Sequence, residues 1–217
     1  MLQYSIADPG EAAAMKEMVP TAIVVDDDEA VRSSLKLLLR SVKLPVTVYA
    51  SAPEFLQHYS VEQPGCLIVD VRMPGMSGLE LQEQLNLRGA MIPLIFITGH
   101  GDIAMAVEAM RYGAFDFLPK PFRDQELLDR IQRALGKDAR NRREMAQTDR
   151  IRELFESLTP REREVLDLVT SGKPNKVMAA DLGVSQRTIE IHRARVMEKM
   201  RADSLAQLVR MVLTLKE

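Results

Sequence analysis

The chain has 217 residues, 46% hydrophobic and 28% charged, with a formal net charge of −2. That is globular composition, and it excludes a disordered or fibrous chain. The charge is unevenly spread: residues 1–135 hold 12 Lys+Arg against 18 Asp+Glu (net −6), and residues 136–217 hold 17 against 13 (net +4). An acidic front and a basic back predict two domains with different partners. One cysteine, Cys66, makes no internal disulfide and no thiolate metal site, and His58, His100 and His192 lack ligand spacing. Apolar runs fall far short of the roughly 18 residues that span a bilayer. The N-terminus carries Asp8, Glu11 and Glu17 and does not read as a signal peptide. A reducing cytoplasm, with no membrane partner, is expected.

Residues 1–20 read as a loose extension, with weak helical spacing around Ala12–Met18. From Thr21 strands and helices alternate. Ala22–Val25 is an apolar strand that runs into Asp26-Asp27-Asp28, and helical spacing follows at Val31, Leu35, Leu38 and Leu39. Asp28 reads as the cap of that helix. Val46–Tyr49 is the second strand, and Ser51-Ala-Pro-Glu54 opens a helix with a capping box. Cys66–Val69 is a strand that ends at Asp70; a Pro74, Gly75, Ser77, Gly78 turn then leads into a helix through Leu79, Leu81 and Leu85. Ile92–Ile97, a loop at Thr98–Asp102, a helix to about Arg111, a strand at Phe115–Leu118 and a helix at Arg123–Leu135 complete the series. Five βα units with continuously apolar strands predict a doubly wound, five-stranded parallel α/β sheet in residues 21–135. Residues 136–157 are rich in both charge signs and read as a partly helical linker.

From Leu158 onward the signals are all helical. Thr159-Pro-Arg-Glu162 is a second capping box, and helices are expected over Asn175–Leu182, Ser185–Met200 and Ser204–Leu215. Residues 158–217 thus form a small all-α domain of about 60 residues, a size that folds alone.

In the parallel sheet the polar strand ends gather at one edge, where ligands of such folds sit. Asp26, Asp27 and Asp70 stand at the ends of strands one and three, and neighbouring strands lie roughly 5 Å apart. Carboxylates that converge there call for a hard divalent cation, Mg²⁺ or Mn²⁺. Thr98 ends strand four, and Lys120, between Pro119 and Pro121, ends strand five. A carboxylate, a divalent ion, a hydroxyl and a lysine suit the receipt of a phosphoryl group. Taken singly, each of these residues reads equally as a cap or a solvated strand end.

The segments VVDDDEAVR, LIVDVRMPGMSGLEL, FITGHGD and DFLPKPF resemble a bacterial response-regulator receiver domain over about residues 21–135. The resemblance implies that Asp70 accepts the phosphoryl group from a sensor histidine kinase. It implies that Asp27 binds Mg²⁺ directly and Asp26 mainly through water, with Asp70 and the backbone carbonyl of Arg72 completing the protein's ligands. It places Thr98 and Lys120 on the phosphoryl group and Phe117 at the aromatic switch position. Phe115, Phe117 and Phe122 read equally well as ordinary core residues.

Asn175–Lys199 has a helix-turn-helix pattern, with Ala179 at a close crossing, Gly183 in the turn and Ser185 as a cap. Residues 185–201 hold five bases and two acids, a balance suited to a helix among phosphates and equally to a solvated basic face. The stretch LTPREREVLDLVTSGKPNKVMAADLGVSQRTIEIHRARVMEKM, followed by SLAQLVRM, resembles the LuxR-type DNA-binding domain over about residues 155–217. Both domains together resemble regulators of the FixJ/NarL type, nearest the FixJ-like branch. On the second helix Glu190, Ile191 and Ala194 are expected at base edges. Arg187, Arg193, Arg195 and Lys199, with Ser185, Gln186, Thr188 and Lys176, are expected at phosphates. His192 fits the packed face or a phosphate equally. The expected partners are the kinase, double-stranded DNA, a second copy joined through residues 103–118 on phosphorylation, and RNA polymerase as a further candidate. Turnover of an external substrate is not expected. Two other readings compete: a Mg²⁺-dependent phosphatase, for which no substrate pocket is visible, and a phosphate-independent interaction module, against which the full Asp26, Asp27, Asp70, Thr98, Lys120 set argues.

Overall fold

The structure, a computed structural model, describes residues 19–99 and 103–215. The extension expected before residue 19 and the loop residues His100, Gly101 and Asp102 lie outside the described residues. Contacts divide the chain into two compact units, with the division between Asn141 and Arg142.

The first unit is built on strands β1 (Thr21–Val25), β2 (Val46–Tyr49), β3 (Gly65–Asp70), β4 (Leu94–Thr98) and β5 (Asp116–Pro119). They form one parallel sheet in the order β2-β1-β3-β4-β5. Its helices are α1 (Glu29–Ser41), α2 (Ala52–His58), α3 (Gly78–Leu87), α4 (Ile103–Arg111) and the start of α5 (Asp124–Glu156). Every residue of β3 is buried, as expected for a strand covered on both faces. Alternation along the strands splits the core in two. Ile23, Val25, Leu67, Val69 and Phe96 pack with Ala52, Phe55, Leu81, Leu85 and Ala109 on one face. Ala22, Val24, Ile68, Ile95 and Ile97 pack with Leu35, Leu39, Leu127 and Ile131 on the other.

Most elements begin and end within two residues of expectation. Strand β4 starts at Leu94 rather than Ile92, because Pro93 has no N–H for the ladder and offers only its carbonyl, which accepts from Leu67 N at 2.9 Å. Asp28 caps α1 as expected, its Oδ1 accepting from Ala30 N. At α2 Ser51 caps Glu54 N, but the Glu54 carboxylate accepts from Ala50 N rather than closing the box on Ser51.

The expected linker is helical through most of its length. Residues 136–156 continue α5, a helix of 33 residues that ends at Glu156. Gly136 costs such a helix about 1 kcal/mol, but no proline interrupts it. Two residues on, Asp138 is buried and its Oδ2 accepts from Gly65 N at 2.9 Å, which anchors the helix at the start of β3.

The second unit comprises the end of α5 with α6 (Pro160–Thr170), α7 (Asn175–Asp181), α8 (Gln186–Lys199) and α9 (Leu205–Thr214). Leu158, Val165, Leu166, Met178, Ile189, Val196, Met200 and Leu208 form its core, together with Ile151 of α5. Ser185 and Ser204 cap α8 and α9, and Thr159 and Glu162 form the reciprocal capping box of α6. Gly183 turns the chain between α7 and α8 at φ 65°, a left-handed conformation that glycine adopts without a Cβ penalty.

Candidate functional site

The C-terminal edge of the sheet holds the first site, at the switch point where β1 lies between β2 and β3. Val25 and Val69 are in register, so Asp26 and Asp70 leave the sheet side by side, and both are buried. Lys120 joins them: its Nζ lies 3.0 Å from Asp26 Oδ2 and 3.0 Å from Asp70 Oδ1. Strand β5 delivers this lysine, whose backbone N–H donates to the Thr98 carbonyl at 2.6 Å. Thr98 itself is buried, one strand away from Asp70. The other Asp70 oxygen, Oδ2, accepts from Arg72 N at 2.8 Å, so the carboxylate is held at both ends. Gly78 supports it from below: a Cβ there would stand 2.4 Å from the Asp70 carbonyl oxygen, so α3 starts in contact with this strand end.

Burial raises the Asp26 carboxyl above its ordinary range; bonds from Lys120 and from Asp28 N–H oppose this without cancelling it. For Lys120 burial works against the ammonium, and the bonds to Asp26 and Asp70 outweigh it, so its affinity for the proton rises. Arg32, which the sequence reading did not single out, donates from Nη1 to the Asp26 carbonyl at 2.7 Å and fixes the strand end.

Of the three carboxylates expected to converge, Asp26 and Asp70 are brought together through Lys120. Asp27 follows a buried neighbour at the strand end and is exposed, and its carboxylate makes no hydrogen bond or ion pair among the described residues. Among the described residues no three His, Cys, Asp or Glu side chains gather as a metal cluster. Two buried carboxylates repel unless a cation stands between them, and Lys120 does so here. The donor chemistry still fits a hard divalent ion. Asp26 and Asp70 formally carry one negative charge beyond Lys120, and the exposed Asp27 adds another.

Phe117 is half-buried against the core, its ring centroid 6.3 Å from that of Phe96. Cys66 is buried and its thiol is pushed up to about 12, first by burial and then by the charge of Asp138, which makes it a core residue rather than a redox group.

In the second unit α8 exposes Gln186, Arg187, Glu190, Ile191, Ala194 and Arg195, while Ile189 and Val196 turn inward. Ile191 is 47% exposed, which leaves an apolar side chain on the solvent face of α8. Lys176 is exposed on α7. Ser185 Oγ accepts from Thr188 N at 3.1 Å and shares a hydrogen bond with the Thr188 hydroxyl.

Two of the residues expected at phosphates have partners within the helical unit. The Arg193 guanidinium donates to Asn175 Oδ1 at 2.5 Å, across the helix-turn-helix. Lys199 Nζ lies 2.7 Å from the buried Glu162 Oε2, bracing α8 against α6. Glu162 belonged to a local capping motif in the sequence; its second partner, 37 residues away, left no local signal. His192 is half-buried with Nδ1 enclosed and unpartnered among the described residues.

Residues 22–132 match the family described as "Response regulator receiver domain". The chain belongs to the response regulators. Residues 156–212 match "Bacterial regulatory proteins, luxR family". Nodulation protein W of Bradyrhizobium diazoefficiens is 50% identical over 88% of this chain and 85% of its own length. Transcriptional regulatory protein FixJ of Azorhizobium caulinodans is 48% identical over 92% of this chain and 94% of its own. Among solved structures, response regulator StyR is 49% identical with a TM-score of 0.83, covering 90% of this chain and 98% of that one. A receiver joined to a LuxR-family domain, among relatives named as regulators of this kind, makes the chain a phosphorylation-dependent transcription regulator with a histidine kinase and DNA as partners. Among the described residues no helix is long and apolar enough to cross a membrane.

Proposed function

We propose that Asp70 is the phospho-acceptor of this response regulator, and that its phosphorylation promotes dimerisation and sequence-specific DNA binding through α8. The observation that carries the reading is the Lys120 bridge, with Nζ 3.0 Å from both Asp26 and Asp70 beside buried Thr98.

Asp70 attacks the phosphorus of a phosphohistidine on the kinase. An Asp70 O–P bond forms, the P–N bond breaks, and the electron pair leaves with the imidazole. Lys120 passes from a carboxylate partner to a contact with the phosphoryl oxygens, and the Thr98 hydroxyl supplies a donor from the next strand. Asp27, Asp70 and the Arg72 carbonyl are the residues that would hold Mg²⁺ or Mn²⁺, with Asp26 acting mainly through water. Such an ion offsets charge on the transferring oxygens. The product replaces a carboxylate by a group with more charge and more acceptor oxygens. As Thr98 is drawn toward the phosphoryl group, Phe117 rotates inward into the space vacated. The face that changes carries Val107, Met110 and Tyr112, exposed apolar side chains within residues 103–118 that a second copy would cover.

On DNA, Glu190, Ile191 and Ala194 meet base edges, with Ile191 and Ala194 suited to a thymine methyl and Glu190 to a cytosine amino group. Arg187, Arg195, Lys176 and Gln186 contact phosphates, while Ser185 caps the helix that presents them. RNA polymerase is a further partner in this reading.

The deciding experiment is intact mass after incubation with a small phosphate donor, for wild type and Asp70→Asn, with and without Mg²⁺. The expected result is a gain of about 80 Da, one phosphoryl group, in wild type with Mg²⁺ alone. An equal gain in Asp70→Asn overturns the assignment.

A further inference from the structure

The helical unit carries a second cationic surface, away from the side chains assigned to DNA. A groove of about 570 Å³ runs between the end of α5 and α9, and Arg150, Arg201 and Arg210 stand on its rim. Its apolar lining includes Ile151, Met200 and Met211. All three arginines are exposed, and none makes an ion pair among the described residues. No carboxylate lines the groove. The nearby Asp149 is taken by Arg152 at 2.7 Å.

The groove meets α8 on the side opposite its exposed face. Met200 and Ile191 are nine residues apart, which at about 100° per residue places them roughly 180° apart around the helix axis. Met200 is buried at the groove while Ile191 points to solvent. Duplex DNA on the Ile191 face therefore leaves the groove open, and the arginines are poorly placed to serve the same duplex.

We propose that this groove is a docking site for an acidic helical segment of a partner protein, with apolar residues on one face. Charge complementarity selects the occupant. Three unneutralised guanidiniums suit carboxylates, which they grip through two parallel N–H bonds each. The methionine and isoleucine surfaces suit the apolar face of an amphipathic helix laid along the groove, and methionine adapts to more than one such shape. The position allows the partner to bind while α8 is engaged on DNA.

The test uses the full chain and a fluorescent synthetic peptide with glutamates on one helical face and leucines on the other. Binding is followed by anisotropy for wild type, Arg150→Glu/Arg210→Glu and the milder Arg150→Gln/Arg210→Gln, each checked for an unchanged thermal melt. The expected result is affinity at least tenfold weaker in the Glu pair and intermediate in the Gln pair. A peptide with Gln in place of Glu binds wild type as weakly. Peptide binding to wild type persists when random-sequence duplex DNA saturates the protein. Equal peptide affinity across the three proteins overturns the proposal. So does competition by duplex, or a loss confined to duplex affinity in the variants, either of which makes the arginines a phosphate surface.

Discussion

Replacing Glu162 by Gln removes one charge from the helical unit but keeps an acceptor for the cap. In the native chain Glu162 Oε2 accepts from Thr159 N at 2.9 Å and from Lys199 Nζ at 2.7 Å, on a side chain that is 4% exposed. The bond from Lys199 comes first, and with the Thr159 N–H it holds this carboxyl down at about 2, against an ordinary 4.5. A depression of that size corresponds to at most about 3 kcal/mol. The Lys199 side chain is 36% exposed, so solvent screening leaves about 1–2 kcal/mol. A group with a depressed folded-state pKa stabilises above its unfolded value and loses that contribution as pH falls through the folded one. Wild type should therefore exceed Glu162→Gln in stability above pH 4.5, and the gap should close toward pH 2. In a domain of this size the gap at pH 7 amounts to roughly 5–15 °C in melting temperature. Scanning calorimetry of the full chain, following the transition of the helical unit, measures it. Lys199→Met should be at least as damaging at pH 7, because it leaves a buried carboxylate without its cation. A gap between wild type and Glu162→Gln that stays constant from pH 7 to pH 2, or no gap at pH 7, would refute the argument.

Lys120→Met leaves Asp26 and Asp70 facing each other without a cation; phosphoryl uptake measured by intact mass should slow at least tenfold, and a rate equal to wild type would remove the lysine from the site. Asp138→Ala strands the Gly65 N–H it accepts from, and should destabilise the first unit by about 1–3 kcal/mol. Faster hydrogen exchange in β3 than in wild type is the readout, and unchanged exchange would show the contact to be dispensable. Arg195→Ala should lower the salt slope of duplex binding by about 1, the signature of one lost phosphate contact. Arg193→Met should leave that slope alone and instead lower the melting temperature of the second unit, since Arg193 is spent on Asn175.

Strand ends carried most of the site in readable form. Asp26, Asp70, Thr98 and Lys120 each follow an apolar run, and a parallel sheet brings such ends to one edge whatever the helices between them do. The exposure of Asp27 beside the buried Asp26 was not readable, because the direction of a side chain just past a strand depends on what its neighbours leave open. Likewise the bases of α8 looked alike in sequence. Their helical positions were clear, but two of them are occupied by partners on α6 and α7 that no periodicity announces.

Contacts within a few residues were settled by the chain alone. Ser185 caps Thr188, Asp28 caps Ala30 and Thr159 pairs with Glu162, each across three residues or fewer, in a geometry that any helix start repeats. The hydrophobic alternation, and with it the sheet and the helical unit, follows from the same short-range periods. Tertiary structure decided the rest: Lys120 reaches Asp26 across 94 residues, Asp138 anchors Gly65 across 73 and Lys199 reaches Glu162 across 37. Such pairs form only after the core has set the distance between their elements, and a buried charge or N–H then takes whichever partner that geometry brings within reach.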